Sequence, residues 1–357
     1  VKLGIIGLPG CGKSTVFRAL TFSEGSDDRK GRDEPDLAVV KVEDSRLDYL
    51  AAYHTPRKVT PVDVEYQDIA GFTGEGERGR EIGDRILAHM RPLDAMVHVI
   101  RFFESDALGA PEPLNDMQRV DEEMMLSDLA VIERRLERAE RDFQKGRKEL
   151  AEEIELLKGA RQILEEEKPL RVYPPALESD KLRGFSFLSA KPQLYLVNAG
   201  ENKSREDIEK LVTAIQDRIG DVPYSVTDWL YADAEAEIAR LEPEEAREFM
   251  EDLELDEDGK NRIICTSFAL LNLIVFFTAG DPEVRAWPLR EGESALEAAG
   301  TVHTDMQRGF IRAEVVSFDD FKEHGSMQAA QKAGKVRLEG KEYRVSDGDI
   351  ILFRFNV

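Results

Sequence analysis

Cysteine is nearly absent. Cys11 and Cys265 are the only two in 357 residues, too few for a disulfide framework, which excludes a small cross-linked secreted scaffold and suits a reducing compartment such as the cytoplasm. Long apolar runs are also missing. No stretch approaches the ~20 residues that cross a bilayer, so no membrane span or membrane partner is expected, and the apolar residues at the start are read as a buried strand, not a secretory leader. Positive charge is short as well: 49 Lys and Arg stand against 72 Asp and Glu, for a net charge of −23. Affinity for nucleic acid comes from cations that displace counterions from phosphates. The field therefore excludes bulk electrostatic binding to nucleic acid and leaves any RNA contact to a local patch. The apolar content of 41% suffices for ordinary packed cores, and the length allows two or three domains.

What is present begins at once. Leu3 to Ile6 reads as a short buried strand, Gly7-Leu-Pro9-Gly10-Cys11-Gly12-Lys13-Ser14 satisfies G-x-x-x-x-G-K-[ST], and Thr15 to Leu20 has apolar residues at helical spacing. Strand, glycine loop and helix in that order make a P-loop, the binding site of a nucleoside phosphate. Gly7, Gly10 and Gly12 let backbone N–H groups close on a phosphate, and the helix that follows adds unpaired N–H groups and the positive end of its dipole. Lys13 supplies a point charge to the β- and γ-phosphates and Ser14 a hydroxyl to Mg²⁺; Pro9, Cys11 and Thr15 complete the set that lines the nucleotide. Cys11 is read as a small residue filling a tight loop rather than as a redox switch.

Further along, Glu24 to Asp33 is polar and charged and reads as a mobile loop. Leu37 to Val42 is a strand, Asp44 to Tyr53 a short helix, and Val62 to Asp68 an alternating strand that ends in Asp68-Ile-Ala-Gly71. An Asp leaving the carboxyl end of a strand beside a P-loop is where a Mg²⁺ ligand belongs, so Ser14 and Asp68 are the candidate metal ligands and Gly71 a candidate phosphate contact. Phe72 to Gly83 is glycine-rich, charged and read as mobile. Ala95 to Ile100 is an apolar strand whose His98 is a core residue rather than a catalytic one. From Met117 to Glu167 apolar residues recur at steps of three and four amid dense charge, which predicts two long antiparallel helices turning near Gly146. Gln193 to Glu201 is a strand ending in Asn198, Ser204 to Ile219 an amphipathic helix, and Val222 to Leu230 another strand. Glu235 to Leu253 reads as acidic helix and Asn261 to Phe277 as apolar helix. Beyond Thr278 short strands and turns predict a small β-rich domain.

P-loop, D-x-x-G and N-x-x-E in this order, around an inserted coiled coil and ahead of a small β domain, resemble the YchF or Obg-like ATPases. The resemblance runs over essentially the whole chain and is densest near its end, at Phe276-Phe-Thr-Ala-Gly280, Glu283-Val-Arg-Ala-Trp287, His303-Thr-Asp305, Arg308 to Glu314 and Asp347 to Val357. It implies an α/β fold with a P-loop nucleotide-binding domain over residues 1–115 and 185–275, a coiled-coil helical insertion over 116–184 and a β-grasp (TGS) domain over 276–357. It also implies that Asn198 and Glu201 read the base. A related GTPase has N-K-x-D there, and its Asp accepts hydrogen bonds from guanine; Glu in place of Asp implies ATP in preference to GTP. The ribosome or its RNA is the implied partner, met through the TGS domain and coiled coil, with the mildly acidic C-terminal region as the RNA-facing part.

Two departures from the family's pattern, and one feature shared with it, bear on turnover. Gly10 stands where the family's P-loop carries an Asn that helps to hold potassium, which argues against potassium activation. Arg32 replaces the family's Mg²⁺-contacting Thr ahead of Glu34-Pro35. Phe72, as in the family, occupies the place of a water-orienting Gln. The catalytic group is thus not identified. Slow hydrolysis is one expectation; a regulatory module that holds nucleotide without turning it over is the alternative. Tyr231-Ala232 and Ser225 both remain open as the last base-contacting motif.

Overall fold

The structure is a computed structural model that describes residues 1–21, 35–70, 86–238, 240–252 and 259–356. Arg32 and Gly71 lie outside the described residues, as do the two loops read as mobile, Glu24 to Asp33 and Phe72 to Gly83. The chain forms two compact units, Val1–Val40 with Glu65–Leu270 and Lys41–Val64 with Leu271–Val357.

The first unit is built on strands β1 (Lys2–Ile6) and β2 (Asp36–Val42); a two-residue strand, β3 (Val59–Thr60), belongs to the second unit, and β4 (Val62–Asp68), β5 (Ala95–Phe102), β6 (Gln193–Ala199) and β7 (Ser225–Leu230) complete the set. The sheet order is β2-β4-β1-β5-β6-β7, and β4, β1, β5, β6 and β7 run parallel. Parallel strands are covered on both faces and read as near-continuous apolar runs; Ala95 to Arg101 of β5 and every residue of β6 are buried. The chain moves from β1 to one side of the sheet and later to the other, so a crevice opens at the carboxyl ends of the central strands, where α/β sheets place their ligands.

His98 is a core residue, as its setting in an apolar strand predicts. Its ring is 1% exposed, Nδ1 lies 3.0 Å from Gln193 Nε2, and burial pushes its pKa down to about 4 despite Asp121 nearby. Between the ordinary value of ~6.5 and about 4 the unfolded chain takes up a proton that the folded chain refuses. Stability therefore falls with falling pH across that window, by about 3 kcal/mol from this group alone. Urea melts at pH 7 and pH 4.5 should show the loss. His98→Asn, which keeps an acceptor for Gln193, should flatten the profile; an unchanged slope would remove His98 as its source.

The predicted helical pair is present as helices Pro113–Gln144 and Ala151–Glu165, with Gly146 at φ +106° in the turn, a conformation glycine adopts without strain. Ile132, Leu136 and Ala139 pack with Ile154, Leu157, Ala160 and Leu164, the apolar stripe expected from the spacing. At its root Asp128, fully buried, accepts hydrogen bonds from Leu188 N (2.9 Å), Ser189 N (2.8 Å) and Ser189 Oγ (2.8 Å). Ser189 Oγ in turn accepts from Leu170 N. The outgoing helix and the returning chain are thus tied at one place, just ahead of β6.

The second unit holds β8 (Leu273–Ala279), β9 (Val284–Arg290), β10 (Phe310–Ser317), β11 (Arg337–Glu339) and β12 (Asp349–Phe355) in the order β11-β10-β12-β8-β9-β3. The last long strand, β12, lies parallel to the first, β8, and antiparallel to β10, which is the β-grasp order. Helix Ala295–Val302, held by the Ser294/Glu297 capping box, packs Ala295, Ala298 and Ala299 against Phe276, Leu289 and Phe353.

Two elements differ from the sequence expectation. The apolar helix expected over Asn261 to Phe277 spans only Gly259–Leu270; Asn272 turns at φ +52° and Ile274 to Phe277 extend into β8, where branched and aromatic side chains pack well. Residues 41–64, expected within the nucleotide-binding domain, group with the C-terminal unit. Arg46 bridges Asp44 and Asp347, Asp347 accepts from Val275 N, and β3 pairs with β9. Apart from Asp44, none of these partners is local in sequence, so no local pattern announces the grouping.

Candidate nucleotide-binding site

β1 ends at Ile6 and the loop Gly7 to Gly12 leads into helix Lys13–Thr21. Gly7, Gly10 and Gly12 have φ of +148°, +77° and +91°, a region that L side chains rarely enter. Space is closed as well. A Cβ on Gly7 would stand 2.6 Å from Val99 O, and one on Gly12 would overlap Asn198 Nδ2. The backbone is wound so that a phosphate can approach it and a side chain cannot.

Lys13 is buried and its ammonium donates to Gly7 O (3.2 Å) and Leu8 O (3.0 Å). An ammonium has three donors, so one remains to meet a phosphate. Ser14 Oγ donates to Asp68 Oδ2 at 2.6 Å. Burial pushes the Asp68 carboxyl up, and the Ser14 hydroxyl and the Lys13 charge pull it back. A hydroxyl and a carboxylate side by side are hard oxygen donors, the kind Mg²⁺ takes together with phosphate oxygens, so these two residues fit that ion. Thr15 Oγ1 accepts from Arg18, Pro9 is exposed, and Cys11 is buried with its thiol pushed up by that burial, which keeps it protonated and unreactive.

Asn198 leaves the end of β6. Its Nδ2 donates to Cys11 O at 3.1 Å and its Oδ1 accepts from Ala232 N at 3.4 Å. It staples the P-loop to the turn after β7; it does not cap the next helix, whose N-cap is Ser204. Of the two candidate motifs, Tyr231-Ala232 meets Asn198, while Ser225 sits at the far end of β7 opposite Gln193. Tyr231 donates to Lys203 O, and burial raises its hydroxyl's pKa, with Arg205 opposing and the exposed Glu201 adding to the rise. Lys13, Ser14, Asp68, Asn198 and Glu201 all gather at the carboxyl edge of the sheet; Gly71 is outside the described residues.

Sequence reasoning missed the loop after β5. Arg101 is buried and donates to Phe103 O (3.2 Å), Gly109 O (2.8 Å) and Ala110 O (3.0 Å), which fixes this loop against the site. Phe103 lies between Gly12 and Gly200, 3.7 Å and 3.0 Å from where their Cβ atoms would be, on the side where Asn198 and Glu201 stand. Leu108 occupies the space beside Gly10, 2.5 Å from a Cβ there.

A glycine loop with its lysine, a serine–aspartate pair and an asparagine staple at the carboxyl ends of a parallel sheet define a P-loop nucleoside triphosphatase. Comparison with known proteins agrees. The family model for 50S ribosome-binding GTPases matches residues 2–139 and the YchF-GTPase_C model residues 273–356. The chain is 40% identical to the ribosome-binding ATPase YchF of Haemophilus ducreyi, over 100% of this chain and 99% of that one. It is 35% identical to human Obg-like ATPase 1, over 100% and 92%. The structure of the Schizosaccharomyces pombe YchF GTPase superposes with a TM-score of 0.81 at 30% identity, covering 99% of this chain and 97% of that one. The chain belongs to the YchF family of Obg-like ATPases.

Proposed function

We infer that this protein is a nucleotide-dependent switch that binds ATP with Mg²⁺, hydrolyses it slowly and acts on the ribosome in the cytoplasm. The observation that carries the nucleotide reading is the Ser14–Asp68 pair beside Lys13 at the start of the P-loop helix. Ser14 and Asp68 would hold Mg²⁺, which neutralises phosphate charge when bound. Lys13 and the loop N–H groups hold the phosphates, and Phe103, Glu201 and the Tyr231–Ala232 turn flank the base. The preference for ATP is supported by N-x-x-E at Asn198 to Glu201 and by the names of the two relatives. Leu108 beside Gly10 supports a site that works without potassium. The ribosome is supported by the relative's name and by the matched GTPase model; among the described residues no helix is long and apolar enough to cross a membrane.

Calorimetric titration of ATP and GTP with Mg²⁺ tests the base reading. ATP should bind at least about tenfold more tightly, roughly 1.4 kcal/mol, and Glu201→Asp should narrow that gap. Tighter GTP binding would overturn the ATP preference. Single-turnover phosphate release with and without ribosomes tests the rest: release accelerated by ribosomes is expected, and no release in either arm favours the module that only holds nucleotide.

A further inference from the structure

A cleft of about 190 Å³ opens at the root of the helical hairpin, and no residue of the P-loop lines it. Its walls are the first turns of helix Pro113–Gln144, the returning chain at Glu167, Pro169 and Arg171, and the end of helix Arg205–Ile219 with Val222 beyond it. Met117, Asp121, Met124 and Met125 line it at i, i+4, i+7 and i+8, which is one face of a helix. Pro169, Ile219 and Val222 add apolar surface. The space equals about six waters at ~30 Å³ each. That is below the roughly 300–1,000 Å³ of clefts for drug-sized ligands, so the cleft suits a small metabolite.

The polar part of the lining is a hydrogen-bonded set with two loose ends. Arg171, 2% exposed, donates from Nη1 to Lys191 O (3.0 Å) and Gln193 Oε1 (2.8 Å), and from Nη2 to the Tyr195 hydroxyl (3.0 Å). Tyr195 donates in turn to Asp121 Oδ2 (2.9 Å), and Gln193 Nε2 donates to Asp121 Oδ1 (3.0 Å) while facing His98 Nδ1. Tyr195 and Gln193 thus have their donors spent. A guanidinium has five donors, and Arg171 uses three: Nε has no acceptor and one Nη2 hydrogen is left. A carboxylate has about four acceptor sites, and Asp121 uses two. Among the described residues no carboxylate forms an ion pair with Arg171, although buried charges ordinarily require a partner. Asp121 stands one phenolic oxygen away.

Two donors left on a cation, the number a carboxylate takes in a bidentate pair, and two acceptor sites left on a nearby anion match a molecule that carries both charges. The rest of the lining agrees. Asp121, Glu122 and Glu167 outnumber Arg171 and Arg218, so a net anion is repelled, and a net cation would leave the Arg171 donors unmet. We propose that this cleft binds a small zwitterion, an α-amino acid with an apolar side chain. Its carboxylate pairs with Arg171, its ammonium with Asp121, and its side chain lies among Met117, Met124 and Met125, whose unbranched thioethers adapt to irregular shapes. The outgoing helix and the returning chain both line the cleft, so the bound molecule joins them at the hairpin root.

Calorimetric titration of the full chain with L-leucine, leucinamide and isocaproate tests the assignment. Leucinamide lacks the carboxylate and isocaproate the ammonium, while the apolar part is unchanged. L-leucine should bind, and each analogue should bind at least about tenfold more weakly, because each leaves one charged group without its partner. This comparison needs no variant. Val222→Trp, which fills the cleft from a half-buried position, should abolish L-leucine binding and leave ATP binding equal to the parent's. Saturating ATP should not displace L-leucine. Isocaproate or leucinamide binding as tightly as L-leucine would overturn the pairing of two charges. L-leucine binding that survives a folded Val222→Trp chain, or that ATP competes away, would place the molecule elsewhere and overturn the site. Neither heat nor a saturation-transfer signal from millimolar L-leucine would overturn it as well, leaving Arg171, Tyr195 and Asp121 as a network that only holds the hairpin root.

Discussion

Asp128→Asn should unfold the first unit at a denaturant concentration well below that of the parent, with a loss of about 4 kcal/mol. The carboxylate is fully buried and accepts three hydrogen bonds, one on Oδ1 and two on Oδ2. Asn has the same shape but presents an NH₂ group where Ser189 N and Ser189 Oγ both donate. Two donors would then face a donor, and a buried donor without its acceptor costs about 1–3 kcal/mol. Arg91, partly exposed and 3.7 Å from Oδ1, would lose this buried counter-charge, which adds to the loss. Burial pushes the Asp128 carboxyl up while the hydrogen bonds from Leu188 and Ser189 and the charge of Arg91 pull it back, so its charge is held by those groups. A thermal melt should drop by about 10 °C. An exposed control on the same helix, Glu133→Gln, should move it little. If Asp128→Asn melts like the parent, the knot at the hairpin root is not a stabilising feature.

That residue also shows where the sequence stops speaking. Asp128 sits in a helix dense with Glu, Asp and Arg, and one acidic residue among many reads as solvated. Its burial follows from chain that returns sixty residues later. The P-loop is the opposite case. Gly7 to Ser14 are contiguous, their chemistry is local, and the structure adds only the distances. Asn198 lies between: its spacing to Glu201 marked it, but its bonds to Cys11 O and Ala232 N join three segments that only the folded sheet brings together. Phe103 and Leu108 carried no pattern, because a short loop has no period to detect. The same reason hid the grouping of residues 41–64 with the C-terminal unit, which depends on β3 finding β9.

Lys13→Ala and Ser14→Ala should separate the two things the P-loop does. Lys13 holds Gly7 O and Leu8 O as well as aiming its charge at phosphate, so its loss disturbs the loop and removes the cation together. Nucleotide affinity should fall at least about a hundredfold, or roughly 2.7 kcal/mol, with Mg²⁺ and with EDTA alike. Among the described residues the Ser14 hydroxyl hydrogen-bonds to Asp68 alone. Its loss should weaken binding about tenfold or more when Mg²⁺ is present and hardly at all in EDTA, with the loop intact. Asp68→Asn should behave in the same way. Because Ser14 and Asp68 share one hydrogen bond, the double variant should lose less than the sum of the single losses, as expected for neighbours acting on one ligand. A fluorescent-nucleotide titration in the two buffers reads all four chains. Additive losses, or a Ser14→Ala defect that persists in EDTA, would mean that the hydroxyl serves the loop and that Mg²⁺ is held by other groups.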